Sequence, residues 1–337
     1  MNLPPDLSTR LHRAFAPLLP TVLALRLTSQ ARAAVRVRDG GPTEGILSFE
    51  KTPEGRLVAA IDLGGVASNR RLFSVLWRRA GVFASLLADP AIPPGTYRCD
   101  INDMAREPGR LLSFCTNQPG TVLVPDRGFF TKRAYAAERS QAANAAPWEE
   151  RDATVLWRGN HSGGGLKMTP DMSPNDTDLI QRARMCLIAR DLPGTDIRFA
   201  VGANWPAAQV EAYRAAGIAG GFVPQSSWLG RKFAIDIDGN ANAFSNLFIR
   251  MLYGCCVIKV ASPYGFRQWY YDDLEAWTHY VPVEADLSDL VEKIRWCQAN
   301  DEACRQIAEN GRRFAEARTV ESEHRATVER IRRAFVR

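Results

Sequence analysis

Runs of β-branched and aromatic residues alternate along this chain with segments whose apolar residues fall at helical spacing. That alternation limits the fold more than any other feature. Residues 45–49, 57–61, 111–115, 121–125, 153–157, 197–201, 233–237 and 256–260 read as strands, and residues 97–103 as a strand ending in polar groups. Between them lie helical faces. Leu72, Val75, Leu76, Val82, Phe83 and Leu86 follow the N-cap offered by Ser68-Asn69. Leu179, Ile180, Ala183, Cys186 and Leu187 form a second face, and further helices are expected near 209–216, 243–253, 287–299, 301–317 and 320–335. At the front, Leu7, Leu11 and Phe15 recur at helical spacing, with Pro17 stopping the run. Strands alternating with helices predict an α/β fold of parallel sheets covered on both faces.

The 337 residues suffice for two domains. The polar, Ala-rich stretch 132–147 places the boundary near residue 150, giving domains 1–150 and 151–318 and a charged last helix, 319–337, that crosses back to the first. No apolar run approaches the roughly 20 residues that span a bilayer. Met1-Asn2-Leu3-Pro4-Pro5-Asp6 lacks a basic segment before an apolar one, so the expected location is the cytoplasm, with peripheral contact at the inner membrane face left open. Of seven cysteines none forms a Cys-x-x-Cys pair and two are adjacent, Cys255-Cys256, which argues against a disulfide framework or a structural zinc site. The net charge of +6 favours anionic partners such as nucleotide sugars, phosphorylated glycolipids or a membrane face. No zinc finger or aromatic RNA-binding motif is visible, so nucleic acid is not an expected partner.

Four blocks could carry chemistry. In Trp157-Arg158-Gly159-Asn160-His161-Ser162-Gly163 a strand ends, the backbone turns at glycine and short polar groups follow. Ligands of open α/β sheets bind beyond the carboxyl ends of strands, where loop amides can cradle phosphate. The second block runs from Phe233 through Asp236-Ile237-Asp238-Gly239-Asn240-Ala241-Asn242-Ala243-Phe244-Ser245 into a helix. Its Asp236-x-Asp238 pair also has the form of a divalent-cation site. The third, Asp100-Ile101-Asn102-Asp103-Met104-Ala105-Arg106-Glu107-Pro108, offers carboxylates at a strand end for proton abstraction. The fourth is His279-Tyr280-Val281-Pro282-Val283-Glu284-Ala285-Asp286-Leu287-Ser288: a short strand, then a turn in which Asp286 or Ser288 caps a helix, with Asp301 capping the next.

Together these blocks, over roughly residues 97–318, resemble glycosyltransferase family 90, which includes protein O-glucosyltransferases and capsule-associated xylosyltransferases. The first block is similar to the family's Trp/Phe-Arg-Gly-Ser motif, with Asn160 where serine is usual. The second is similar to its Asp-Gly loop, but Ala243 and Ser245 stand where the family shows a serine and an arginine. The third matches an Ile-Asn-x-x-Asp-x-Pro-like region with altered spacing, Arg106 standing two before the proline. The resemblance implies two Rossmann-like domains facing one another in a GT-B type arrangement. It also implies an inverting, metal-independent transfer of a glucose- or xylose-type sugar from a UDP-sugar to a hydroxyl of a glycan or of a lipopolysaccharide or capsule precursor. No cofactor is implied beyond the donor. Asp103 is the candidate base, with Glu107 in reserve and Asp100 third. The candidate donor site comprises Arg158, Gly159, Asn160, His161, Ser162, Gly163, Gly239, Asn240, Ala241, Asn242, Ala243, Phe244 and Ser245. Arg182, Arg184, Lys259 and Arg250 are cations that could replace the missing arginine. Two other readings stand beside this one: a metal-dependent glycosyltransferase using Asp236 and Asp238, and a non-catalytic protein that binds anionic glycans.

Overall fold

The computed structural model describes residues 16–105, 107–172 and 176–335, so the helix expected around Leu7, Leu11 and Phe15 lies outside the described residues. The chain divides into two compact α/β units. Unit 1 takes its described residues from 16–131, 267–269 and 320–335; unit 2 takes them from 132–266 and 270–319.

Unit 1 is built on strands β1 (Val35–Arg38), β2 (Ile46–Lys51), β3 (Leu57–Ala60), β4 (Gly95–Asp100), β5 (Leu111–Ser113) and β6 (Thr121–Leu123), in the order β1-β3-β2-β4-β5-β6. All run parallel except β2, which is antiparallel to both its neighbours. The expectation of wholly parallel sheets fails at this strand for a simple reason. Residues 52–56 are all that separate β2 from β3, and a parallel connection needs a dozen or more residues. The turn closes instead through Gly55, at φ +80°, whose amide donates to the Thr52 carbonyl.

Helix α1 (Leu19–Ala31) buries Leu19, Leu23, Leu27 and Ala31 at every fourth position. Its Pro20 lies in the first turn, where a missing N–H costs nothing. After α2 (Leu63–Ser68), helix α3 (Arg70–Leu87) starts at Asn69, whose side chain accepts from the Leu72 amide at 3.0 Å, as its sequence suggested. Helix α4 (Arg127–Thr131) ends the first stretch of the unit.

Unit 2 opens through Arg133, Ala134 and Tyr135, all with positive φ, a conformation that costs about 1–2 kcal/mol per residue. The Tyr135 ring packs on Phe248, and the Ala134 carbonyl accepts from Arg139 Nε at 2.6 Å, which offsets part of that cost. Helix α5 (Ala136–Ala142) follows, within the stretch where sequence showed little pattern. Strands β7 (Val155–Gly159), β8 (Thr195–Ala200), β9 (Ala219–Gly220), β10 (Phe233–Asp236), β11 (Cys256–Val260) and β12 (Val281–Val283) form one sheet in the order β12-β11-β10-β7-β8-β9, with every pair parallel. Helices α6 (Gln181–Ala189), α7 (Ala207–Ala215) and α8 (Ser245–Leu252) make the crossovers. After β12 come α9 (Leu290–Ala299) and α10 (Asp301–Glu316), and then α11 (Val320–Phe335), which belongs to unit 1.

Counted within unit 2, the strand order is 3-2-1-4-5-6 read from the β9 edge, the order of the doubly wound dinucleotide-binding fold. The first strand, β7, and the fourth, β10, are neighbours, so the winding reverses between them. The expected helix caps differ in detail. Asp286 accepts from the Ser288 amide and so closes the turn, while Asp289 precedes α9 and accepts from Glu284. Asp301 is already helical, and its carboxylate is taken by Lys232 and the Trp148 indole. Among the described residues no helix is long and apolar enough to cross a membrane.

Candidate functional site at the switch point of unit 2

The loops after β7 and β10 meet where the winding reverses. The Gly163 amide donates to Asn240 Oδ1 at 3.1 Å. Arg182, on the first turn of α6, ties both loops together. Its Nε donates to the Asp238 carbonyl at 2.7 Å and its Nη2 to the Ile237 carbonyl at 3.0 Å; its Nη1 donates to the Asn160 carbonyl at 3.0 Å and to Ser162 Oγ at 2.9 Å. The first two sequence blocks therefore form one structure, held by the Gly163–Asn240 bond and the Arg182 guanidinium. A larger residue at Gly239 would have to displace the polar groups that join the loops, because a Cβ would lie 2.7 Å from Ser162 Oγ and 3.1 Å from Arg182 Nη2. At Gly159 a Cβ would run into the Trp157 ring.

Beyond Gly239 the loop turns tightly, its amide donating to the Ala241 carbonyl at 2.8 Å. Asn242 Oδ1 accepts from the Phe244 amide at 2.8 Å, which leaves the buried Asn242 Nδ2 without a partner. Phe244 has φ 47° and ψ −114°, a backbone state that side chains rarely adopt. It occupies the N-cap of α8 without offering a capping side chain, and Ala243 and Ser245 flank it. A helix N-terminus of this kind favours negative charge.

The Asp236-x-Asp238 pair is buried and unequal. Asp236 is fully buried; its Oδ1 accepts from Asn246 Nδ2 at 2.8 Å and its Oδ2 lies 3.4 Å from Lys259 Nζ. Both oxygens of Asp238 are buried with no hydrogen-bond partner. Burial is the main reason its carboxyl is pushed up to about 6; like-charged Asp236 adds to this, while Lys259, the Ser262 hydroxyl and Arg182 oppose it. The Ser262 hydroxyl is near enough to exert that pull but does not meet hydrogen-bond geometry.

The cations proposed from sequence all have protein partners. Arg158 reaches the Asp196 carboxylate at 2.6 Å and the Asp196 and Gly221 carbonyls, bracing β7 against its neighbours. Arg184 donates to the Asp286 carbonyl at 3.0 Å. Lys259, besides Asp236, lies 4.4 Å from the centre of the Tyr271 ring. Arg250 stacks 3.6 Å from the centre of the Trp228 ring, and burial lowers its pKa to about 10. Lys167, which sequence reasoning did not single out, is exposed and carries no ion pair among the described residues. It lies near His161, whose pKa is lowered first by burial and then by the Lys167 charge. His161 stacks on Trp205 at 3.6 Å and 8°. Trp205 was also missed; its signal was a tryptophan just past the carboxyl end of a strand.

In unit 1 the candidate bases lie at the end of β4 and just after it. Asp103 Oδ1 faces Arg79 Nη2 at 2.6 Å, and Arg79 also holds the Ile101 carbonyl at 2.8 Å. Glu107 pairs with Arg98 at 2.9 Å. Asp100 is buried and accepts from the Asn102 amide at 2.8 Å.

Protein 035R of Invertebrate iridescent virus 3, itself uncharacterized, is 30% identical over 265 residues, covering 73% of this chain and 22% of that protein. Human protein O-glucosyltransferase 3 is 39% identical over 84 residues, covering 25% of this chain and 16% of that protein. Of solved structures, sucrose-phosphate synthase from Thermosynechococcus elongatus is a loose likeness, with a TM-score of 0.37 and 13% identity over 65% of this chain and 53% of that one. The chain spans 15–22% of the length of the viral relatives it matches first. The model of the family described as Glycosyl transferase family 90 matches residues 98–323, more than half of the sequence, and the chain belongs to that family.

Proposed function

We propose that this chain transfers a glucose- or xylose-type sugar from a UDP-sugar to a hydroxyl of a glycan or of a lipopolysaccharide or capsule precursor, with inversion and without a metal. The diphosphate lies against the loops 160–165 and 239–244 and the N-terminus of α8, with Lys167 supplying the positive charge that Ala243 and Ser245 do not. Asp103 removes the proton of the acceptor hydroxyl. The oxygen forms its bond to the anomeric carbon as the bond to the diphosphate breaks, and the loop amides and the α8 dipole stabilise the departing charge.

The observation that carries this reading is the tie between the two loops at the switch point, Gly163 to Asn240, beside Gly239, where a side chain would push against Ser162 and Arg182. The test is calorimetric titration of UDP into wild type and Gly239→Ala, with far-UV circular dichroism as the folding control and uridine as the control ligand. Binding of UDP should be tighter than that of uridine, and should weaken at least tenfold in the variant. Equal affinity for UDP in both proteins would refute the placement.

One observation favours a second reading. The two partnerless oxygens of Asp238 are what a carboxylate awaiting a cation would present. Turnover that vanishes in EDTA and returns with Mn2+ selects the metal-dependent reaction; turnover that persists selects the first.

A further inference from the structure

Cys256, Cys297 and Cys304 come from three different elements of unit 2, and their sulfurs all lie within 4.8 Å of one another. Cys256 opens β11, Cys297 lies near the end of α9 and Cys304 in the first turn of α10. All three are fully buried. Buried thiols often serve as small apolar packing groups, and Cys99, Cys115, Cys186 and Cys255 are buried in the same protein. Among the described residues only this trio converges.

We propose that the trio is a trithiolate site for a thiophilic d10 cation such as Zn2+, pinning α9 and α10 to β11. The donors fit this class of ion, because thiolates select soft metals over the hard cations that carboxylates hold. A zinc–sulfur bond of about 2.3 Å places the sulfurs of a tetrahedral site roughly 3.8 Å apart, so the trio must contract by about 1 Å. Rotation about the three Cα–Cβ bonds is the adjustment that this requires. Only weak bonding opposes it: Cys304 Sγ donates to the Cys297 carbonyl at 3.6 Å. The charged groups nearest Cys304 are Asp301, one helical turn earlier, and Lys232, and these two already neutralise each other at 2.7 Å. Asp301 is more than half exposed, so the surface end of α10 lies one helical turn from Cys304.

The test is a titration of reduced, chelator-treated protein with Cd2+ alone, reading the sulfur-to-metal charge-transfer absorption in the ultraviolet, followed by Zn2+ competition. One equivalent per chain should saturate the band and raise the melting temperature, and Zn2+, the harder ion, should diminish the band only in large excess. Cys297→Ser and Cys304→Ser should each weaken binding at least tenfold, while Cys186→Ser, a buried thiol outside the trio, should bind as wild type does. Failure of wild type to give a stoichiometric band overturns the proposal, and so does a band that survives in the double variant Cys297→Ser/Cys304→Ser. The wild-type titration decides even if a variant does not fold.

Discussion

Gly163 donates its amide proton to Asn240 across 3.1 Å, joining two loops 77 residues apart in sequence at the one place where the unit 2 sheet reverses its winding. The bond uses the side chain of one residue and the backbone of the other. Asn240→Ala removes the acceptor and leaves the Gly163 amide to solvent. A net loss of about 1 kcal/mol is the usual scale for such a bond, or roughly fivefold in affinity for any ligand that needs the loops held. Calorimetry with UDP should show that loss with little change in the urea midpoint.

Arg182 is a structural fork. Its donors are spent on four acceptors in the two loops, so Arg182→Lys should serve poorly, because one ammonium cannot reproduce a planar array of N–H groups. Arg182→Ala should destabilise the fold by about 3 kcal/mol, the scale for breaking a buried charged network, and the lysine variant should recover less than half of that. Urea unfolding followed by tryptophan fluorescence measures both. Full recovery by lysine would contradict the fork.

Asp238 gives the fold a pH dependence of definite sign. Its carboxyl moves from 3.8 to about 6 on folding, so between those values the native protein holds a proton that the unfolded chain has lost. Its contribution to stability is therefore complete below pH 3.8, falls as pH rises through the window, and is flat above about 6. A shift of about two units corresponds to roughly 3 kcal/mol. Asp238→Asn should flatten the slope between pH 4 and 6 in a melting-temperature series and leave the remaining pH dependence in place.

The base assignment rests on turnover. Asp103→Asn should lower kcat by about 10²–10⁴, the usual worth of a general base, whereas Glu107→Gln should stay within about threefold of wild type. Arg79 touches Asp103 but no substrate group in this scheme. Arg79→Ala should therefore lower kcat by less than Asp103→Asn does, since it loosens the carboxylate's position without removing it. Wild-type turnover in Asp103→Asn would end the assignment.

The metal question and the thiol trio can be separated by one comparison. An EDTA effect on turnover that is unchanged in Cys304→Ser belongs to Asp236 and Asp238. One that is abolished there, because the variant no longer holds a cation to lose, belongs to the trithiolate site.

The strands of unit 2 were legible because a doubly wound sheet is buried on both faces, which makes its strands nearly continuous apolar runs. Residues 256–260 and 233–236 show this. β9, only Ala219–Gly220, is too short to carry any period, and β1 alternates Val and Arg over just four residues. The direction of β2 was set by the length of its turn, a feature that apolar patterning does not weigh. The two glycine loops could be picked out singly, but their meeting depends on strand order, which no local pattern encodes. Arg182 had the right charge for a phosphate clamp, yet only the path of its side chain shows that its donors turn inward. Lys167 and Trp205 lacked a motif, and Cys256, Cys297 and Cys304 lacked a recognisable spacing.

Helix α11 packs on α3 and β6, brings His324 to Asp89 at 2.9 Å and sets Phe335 against Tyr97 with ring centres 4.9 Å apart. It is made after every other element of its own unit, and the whole of unit 2 is synthesised in the interval. During translation the unit 1 sheet must therefore wait, one flank uncovered, while the later sheet is free to form. The surface that α11 covers stays open over that interval, which is where a chaperone would be expected to act.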